Sequence, residues 1–316
     1  MSRRGWITGI LAMATIAFAI RFGLTFPWKR TLAVLAGSNW PLLAAACLIN
    51  IVSLVAKAEA WRILLGRVGA VRRSTAQAAT FVGAALSCVS VSVSGEAARA
   101  QLVNQRDDIP FGTIIASLVV TRIVEAAGLA VFLSIALVAL PPWPWARYVG
   151  LGMAAVILTG FIGYRHLPWK RLEAGKRGAT YTTILGMLNS SGRIGLAAAI
   201  VIATTSWFAQ WLTYHWSIAA THTPVTAAVS LSALVVANVA GIPRLTPGNI
   251  GVMQGSIILG LKAFDISAVD GLAAGLALQA VQVIPILIIG LALVGRHGFS
   301  RFLRAPVKPL LRNTPP

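Results

Sequence analysis

The sequence is short of acid, short of cysteine and short of charge altogether. Eight Asp and Glu stand among 316 residues, and all charged residues together make up 11%. An ordinary soluble domain carries about 25%. A chain this sparsely charged cannot cover a water-facing surface, which excludes a cytosolic enzyme and a charged disordered protein. The two cysteines, Cys47 and Cys88, lie inside apolar stretches. They form neither a disulfide framework nor a metal spacing and read as small buried hydrophobes. HExxH, P-loop, GxSxG and CxxC patterns are all missing, so no metal, ATP site or other cofactor is expected.

What the chain has instead is apolar length. Hydrophobic residues make up 57% and the mean hydropathy is +0.79. The apolar residues come in runs long enough to cross a bilayer, which makes this a polytopic membrane protein. Lys and Arg number 27, leaving a net charge of +19. On a soluble domain that excess would suggest nucleic acid. Here the basic residues sit between apolar runs, where cytoplasmic loops collect them. The expected partners are therefore anionic lipid headgroups at the basic loops and tail, not nucleic acid.

Full spans are expected at roughly 5–26, 40–61, 112–140, 147–165, 194–218 and 268–294. Arg21 interrupts the first, which lacks an obvious small-residue cleavage site and reads as an anchor. Two further regions are broken. Residues 75–95 begin as TAQAATFVGAAL and continue as SCVSVSVSG, with Ser90, Ser92 and Ser94 alternating with Val89, Val91 and Val93. That period is two, not 3.6. Extended backbone at membrane depth persists only inside protein or beside a wet cavity. The region therefore reads as a re-entrant segment, with GEAARAQLVNQR leading back out. Residues 226–263 break likewise at AGIPRLTPGNIG and resume as VMQGSIILGLKAF.

Charge tests this layout. The basic loops 62–73 and 165–193 and the basic tail share one side only if residues 75–111 cross an even number of times. Both termini are then cytoplasmic, in a cell (inner) membrane. The expected fold is all-α: a polytopic membrane helix bundle with about six full spans and two broken hairpins entering from opposite sides. Their order suggests an inverted repeat. Residues 1–295 form the membrane domain and 296–316 a flexible basic tail. Interrupted segments in corresponding positions mark the substrate site of many transporters.

The candidate chemistry clusters at these breaks. Thr246-Pro247-Gly248 reads as a helix start, with Thr as cap and Pro in the first turn. Its free N–H groups would suit an anion. Gly248, Gly251 and Gly255 would let a headgroup approach the backbone, with Asn249 and Gln254 alongside. Arg244 adds a fork that fits phosphate. After the serine-rich break, Ser94 and Gly95 lead into Glu96 and Arg99, whose i, i+3 spacing would let them pair. Arg122 and Glu125 have the same spacing inside a span. A charge at the centre of a membrane helix costs roughly 2.5–3.5 kcal/mol, so such residues face the bundle interior and usually pair. Lys57, Glu59 and Arg62 lie near the end of the second span, where snorkelling to the interface is the expectation. His215 and His222 have no acidic partners in sequence, and Asp107-Asp108 reads as a solvated turn.

Four stretches together resemble the flippase-like family defined by the transmembrane region of lysylphosphatidylglycerol synthases: AWRILL, SVSGEAARAQLV, TRIVEAAGLAVFL and TPGNIGVMQG. They are spread over roughly 40–294, and TPGNIGVMQG is similar to the hopanoid-associated branch. The resemblance implies a polytopic fold with re-entrant helices that moves lipid between leaflets. It points to Gly95, Glu96, Arg99, Arg122, Glu125, Pro247, Gly248 and Gly251. Two departures stand out: no Pro precedes the SGE stretch, and Gln254 stands where the family often has Glu. The soluble aminoacyl-transferring domain of bifunctional members is not seen, so lipid aminoacylation is not expected.

The resulting expectation is a lipid translocator rather than an enzyme. Arg99, Arg122 and Arg244 would neutralise phosphate, while Glu96 and Glu125 position them or meet a cationic headgroup. Two alternatives remain at this level. One is an integral membrane enzyme using Glu96 or Asp107-Asp108 as base; the other is a scaffold partnering lipid-synthesis enzymes.

Overall fold

A computed structural model describes residues 27–66, 69–90, 94–139, 186, 192–241 and 246–297, and all regular structure among them is helical. In chain order the helices are α1 (Trp28–Ala36), α2 (Trp40–Leu65), α3 (Arg73–Val89), α4 (Ser94–Asp107) and α5 (Phe111–Ala139). There follow α6 (Gly192–Ala220), α7 (Ala227–Ala240), α8 (Val252–Lys262) and α9 (Ala268–His297). Among the described residues α2, α5, α6 and α9 are long and apolar enough to cross a membrane. They correspond to four expected spans of a polytopic helix bundle. The runs expected at 5–26 and 147–165, the loop 165–185 and the tail beyond 297 lie outside the described residues. Helix α1 was not expected from sequence; it packs against α9.

The helix ends follow local chemistry. Asn39 caps α2 by accepting from the Leu42 N–H at 3.0 Å, ahead of a first turn containing Pro41. Thr226 caps α7 by accepting from the Val229 N–H. At the end of α3, Ser90 is extended, with φ −127° and ψ 156°. The period-two pattern thus coincides with a real break between α3 and α4.

Contacts fix the directions. The Asn39 N–H donates to the Ala220 carbonyl at 2.7 Å, and Ser53 and Ser206 meet further along. Helices α2 and α6 are therefore antiparallel. Helix α5 runs with α6: Thr204 lies over the Gly128 carbonyl, and Phe132 meets Trp211 further on. The C-terminal ends of α2 and α6 lie at opposite ends of the bundle. The hairpins that follow them, α3–α4 and α7–α8, consequently enter from opposite ends.

The succession long, short, short, long occurs twice, as α2–α5 and as α6–α9. Ser53 pairs with Ser206 and Lys57 with Gln210, each 153 residues apart. The same offset carries Gly95 onto Gly248, the glycines at the two breaks. The Ser53 hydroxyl donates to the Ser206 carbonyl and the Ser206 hydroxyl to the Ser53 carbonyl, both at 3.0 Å. Reciprocal bonds between equivalent positions are what an inverted repeat produces on its local two-fold axis.

The hairpins meet at their tips. In the first, α3 and α4 cross so closely that a Cβ on Gly83 or Gly95 would collide with the other's carbonyl oxygen. In the second, Gly248 lies against the end of α3, where a Cβ would stand 2.9 Å from the Cys88 carbonyl oxygen. Each hairpin also packs into its own apolar cluster, so both breaks are held inside the bundle.

Candidate functional site

Two cavities lie beside the joined tips. The first, of about 280 Å³, is bounded by α2, α3, α6, α9 and the second break. Its polar wall is largely uncharged: Asn50, Gln210, Asn249, Gln279 and Gln282 present amides, and Ser53, Ser87, Ser90 and Thr246 present hydroxyls. The second, of about 150 Å³, is bounded by α2, the first hairpin and α5, and gathers Glu96, Arg99, Arg122 and Glu125. Leu54, Lys57, Ala84 and Ser87 border both. The two cavities are neighbours with Lys57 at their junction.

In the ionic cavity, Arg122 bridges two carboxylates: it donates to Glu96 at 2.6 Å and to Glu125 at 2.9 Å. The Arg122–Glu125 pair follows from the i, i+3 spacing. Glu96, which the i, i+3 spacing directed to Arg99, reaches across to Arg122 on α5. Arg99 lies over the Trp61 ring, 4.3 Å from its centroid, and donates to Thr80 at 3.3 Å. Its buried Nε has no acceptor among the described residues. Gly95 has no room for a side chain and brings Glu96 and Arg99 close to α3. Ser94 hydrogen-bonds Ser90 across the break. Arg122 stands at the mouth, 54% exposed, beside the exposed apolar side chains of Val119 and Ile123. Eleven residues from the start of α5, it lies about 17 Å along the helix. The mouth therefore opens sideways, among residues that face hydrocarbon.

The second break departs from its expected form. Gly248, Asn249 and Gly251 have φ of 57°, 55° and 84°. These left-handed residues end the short turn Pro247–Asn249 and prevent a helix from growing out of Pro247. The continuous helix begins at Val252. Thr246 is not its cap: the Thr246 hydroxyl donates to the Ile250 carbonyl at 2.7 Å. The Gly251 N–H, just ahead of the continuous helix, is taken by the Gln254 side-chain oxygen at 2.7 Å. Gln254 is thus a cap and borders neither cavity. Gln279 donates to the Gly248 carbonyl at 2.9 Å, leaving its own buried amide oxygen unpartnered among the described residues. Thr246, Gly248 and Asn249 line the first cavity, and Arg244 lies outside the described residues.

Lys57 corrects the sequence reading most. It does not snorkel. Helical side chains lean toward the N-terminus, and Lys57 leans back into the bundle. It donates to Gln210 at 2.8 Å and lies 5.1 Å from the Trp207 ring centroid. Glu59 does stay at the bundle end, paired with Arg62 and Arg73. A signal for Lys57 was present: Asn50, Ser53 and Lys57 stand at i, i+3, i+7, one polar stripe on an apolar helix. Ser206, Gln210 and Thr213 make the facing stripe on α6.

Other candidates are committed elsewhere. Asp107 is not in a solvated turn: its side chain is 1% exposed and holds Arg72 and Thr75 at the base of the first hairpin. His215 bonds Ser230 at 3.0 Å and His222 the Gly37 carbonyl. Among the described residues no group of His, Cys, Asp and Glu could hold a metal. Both cysteines are free and only half-buried, Cys88 on the wall of the first cavity.

Comparison with known proteins adds one finding. The family model described as "Lysylphosphatidylglycerol synthase TM region" matches residues 6–290, an extent wider than the stretch covered by the motifs. No curated protein and no solved structure matches the chain.

Proposed function

The chain belongs to the lysylphosphatidylglycerol synthase TM region family, and on that basis we propose that it moves a lipid with a polar or anionic headgroup between membrane leaflets. The protein is a multi-pass bundle in the cell membrane with both termini cytoplasmic. One observation carries the reading: a laterally open, charged mouth at mid-helix leads into an ionic cavity that adjoins an amide-lined one. A headgroup entering at Arg122 would keep its tails in hydrocarbon, beside Val119 and Ile123. It would exchange its hydration for Arg99, Lys57 and the amides beyond. Arg99, Lys57 and Arg122 outnumber Glu96 and Glu125 by one, which favours a phosphate. Glu96 and Glu125 position Arg122, and Ser94 and Gly95 fix the turn that delivers Glu96. Gly248, Asn249 and Thr246 close the far end, and Arg244, two residues before the described segment, adds a further cation nearby in sequence. Each ionisable group in this site has a partner or a cavity wall to serve, and none stands in a nucleophile–base arrangement, so transport is preferred over catalysis.

The test is purified protein in liposomes with acyl-labelled phospholipid. The wild type is expected to equilibrate the label between leaflets. Arg122→Ala and Glu96→Gln should slow it at least tenfold. Equal rates in variant and wild type would remove the assigned site. A chemically altered lipid, seen by mass spectrometry, would replace transport by an enzyme.

A further inference from the structure

The family's description names a lysylated lipid, whose headgroup carries an amine. Among the described residues the wall of the first cavity holds no carboxylate to balance its charge. The chain holds eight carboxylates in all. Glu96 and Glu125 are tied to Arg122, Glu59 to Arg62 and Arg73, and Asp107 to Arg72. Asp270 bonds Ser267 near the start of α9, Asp108 follows α4, and Asp265 lies between α8 and α9. Only Glu173 stands outside the described residues. None of the described carboxylates borders the first cavity.

The charge that does border it is Lys57. Its ammonium has three donors; one is given to Gln210, and no carboxylate lies within ion-pair distance among the described residues. Around it are neutral groups able to donate and accept, including the unpartnered amide oxygen of Gln279. Buried polar groups of this kind discriminate strongly, because a ligand that leaves them unpaired loses their desolvation energy. An amine in the first cavity would meet Lys57, with no carboxylate on that wall to offset the repulsion. A phosphate beside Lys57, carrying hydroxyls toward the amides, satisfies both.

We infer that the first cavity selects a phosphate-bearing lipid whose head is uncharged and hydroxyl-rich, a polyol or sugar, with Lys57 holding the phosphate and the amides reading the hydroxyls. This deepens the transport reading and names its substrate class. Lys57 then determines specificity against aminoacylated heads.

The experiment uses the full chain. Acyl-labelled phosphatidylglycerol and lysyl-phosphatidylglycerol are compared for movement in liposomes and for retention on the detergent-purified protein by native mass spectrometry. Phosphatidylglycerol is expected to be favoured at least tenfold in retention, and in movement where movement occurs. Lys57→Glu should reverse the order, and Lys57→Gln should bring the two within about threefold. Equal handling of the two lipids by the wild type, or preference for the lysyl form, overturns the inference. Wild-type protein that moves neither lipid refutes transport alone, since the retention ratio still decides headgroup class. Free glycerol phosphate at millimolar concentration should leave retention unchanged; competition by it would assign the cavity to a water-soluble phosphate and overturn the lipid.

Discussion

The first hairpin, α3–α4, contributes Glu96 and Arg99 and ties them to other helices, to Arg122 on α5 and to Trp61 on α2. The second, α7–α8, has no ionisable residue from Ala227 to Ala240 and holds its break with its own Gln254 and with Gln279 of α9. Both hairpins pair two short helices around an interruption, and both put a glycine at the crossing. The difference shows that one backbone plan can be stabilised by ion pairs across helices or by neutral amide hydrogen bonds, one within the hairpin from Gln254 and one from Gln279 of α9.

The largest expected effect separates the two crossings. Gly95→Val drives a side chain into the Gly83 carbonyl and should cost about 3 kcal/mol or more. Gly260→Val, whose Cβ would stand 3.1 Å from the Ala233 Cα, should cost about 1–2 kcal/mol. Thermal unfolding in detergent measures both, and equal losses would erase the distinction. Next comes Arg122→Leu, which leaves Glu96 and Glu125 uncompensated. Breaking a fully buried pair costs about 3–5 kcal/mol; with the Arg122 side chain 54% exposed, about 2 kcal/mol is expected. Adding Glu96→Gln and Glu125→Gln should restore most of it, read as a coupling energy in a mutant cycle. Third, Gly248→Ala places an L side chain at φ 57° and should cost about 1–2 kcal/mol. Fourth, Gln254→Ala removes a helix cap worth about 1 kcal/mol, while Gln254→Glu keeps the acceptor and most of the stability. The smallest effect lies outside both tips: Glu59→Gln breaks a bundle-end ion pair and should cost about 0.2–1 kcal/mol, less in high salt.

Much of the architecture was legible because hydrocarbon forbids unpaired backbone. The apolar runs gave α2, α5, α6 and α9 within a few residues. The serine–valine alternation marked the first break, where Ser90 leaves α3 in an extended conformation. Charge asymmetry set the two hairpins to enter from opposite sides, which the antiparallel α2 and α6 match. Helix α1 escaped because nine residues between two apolar runs carry little periodic signal. Ion pairing was legible only within a helix: Arg122–Glu125 follows from spacing, whereas Glu96–Arg122 depends on how α4 lies against α5. Thr246-Pro247 misled because Thr-Pro opens many helices, and the left-handed residues at 248, 249 and 251 overruled it. Lys57 was misread by counting residues to the helix end instead of following the face it shares with Asn50 and Ser53.

The mutual bond between Ser53 and Ser206 has one more consequence. Swapping the two halves of the repeat leaves that contact unchanged, whereas it exchanges every off-axis contact. Such a contact joins the halves without favouring either one, so any asymmetry between them would be set where they differ, at the ionic tip and the amide tip.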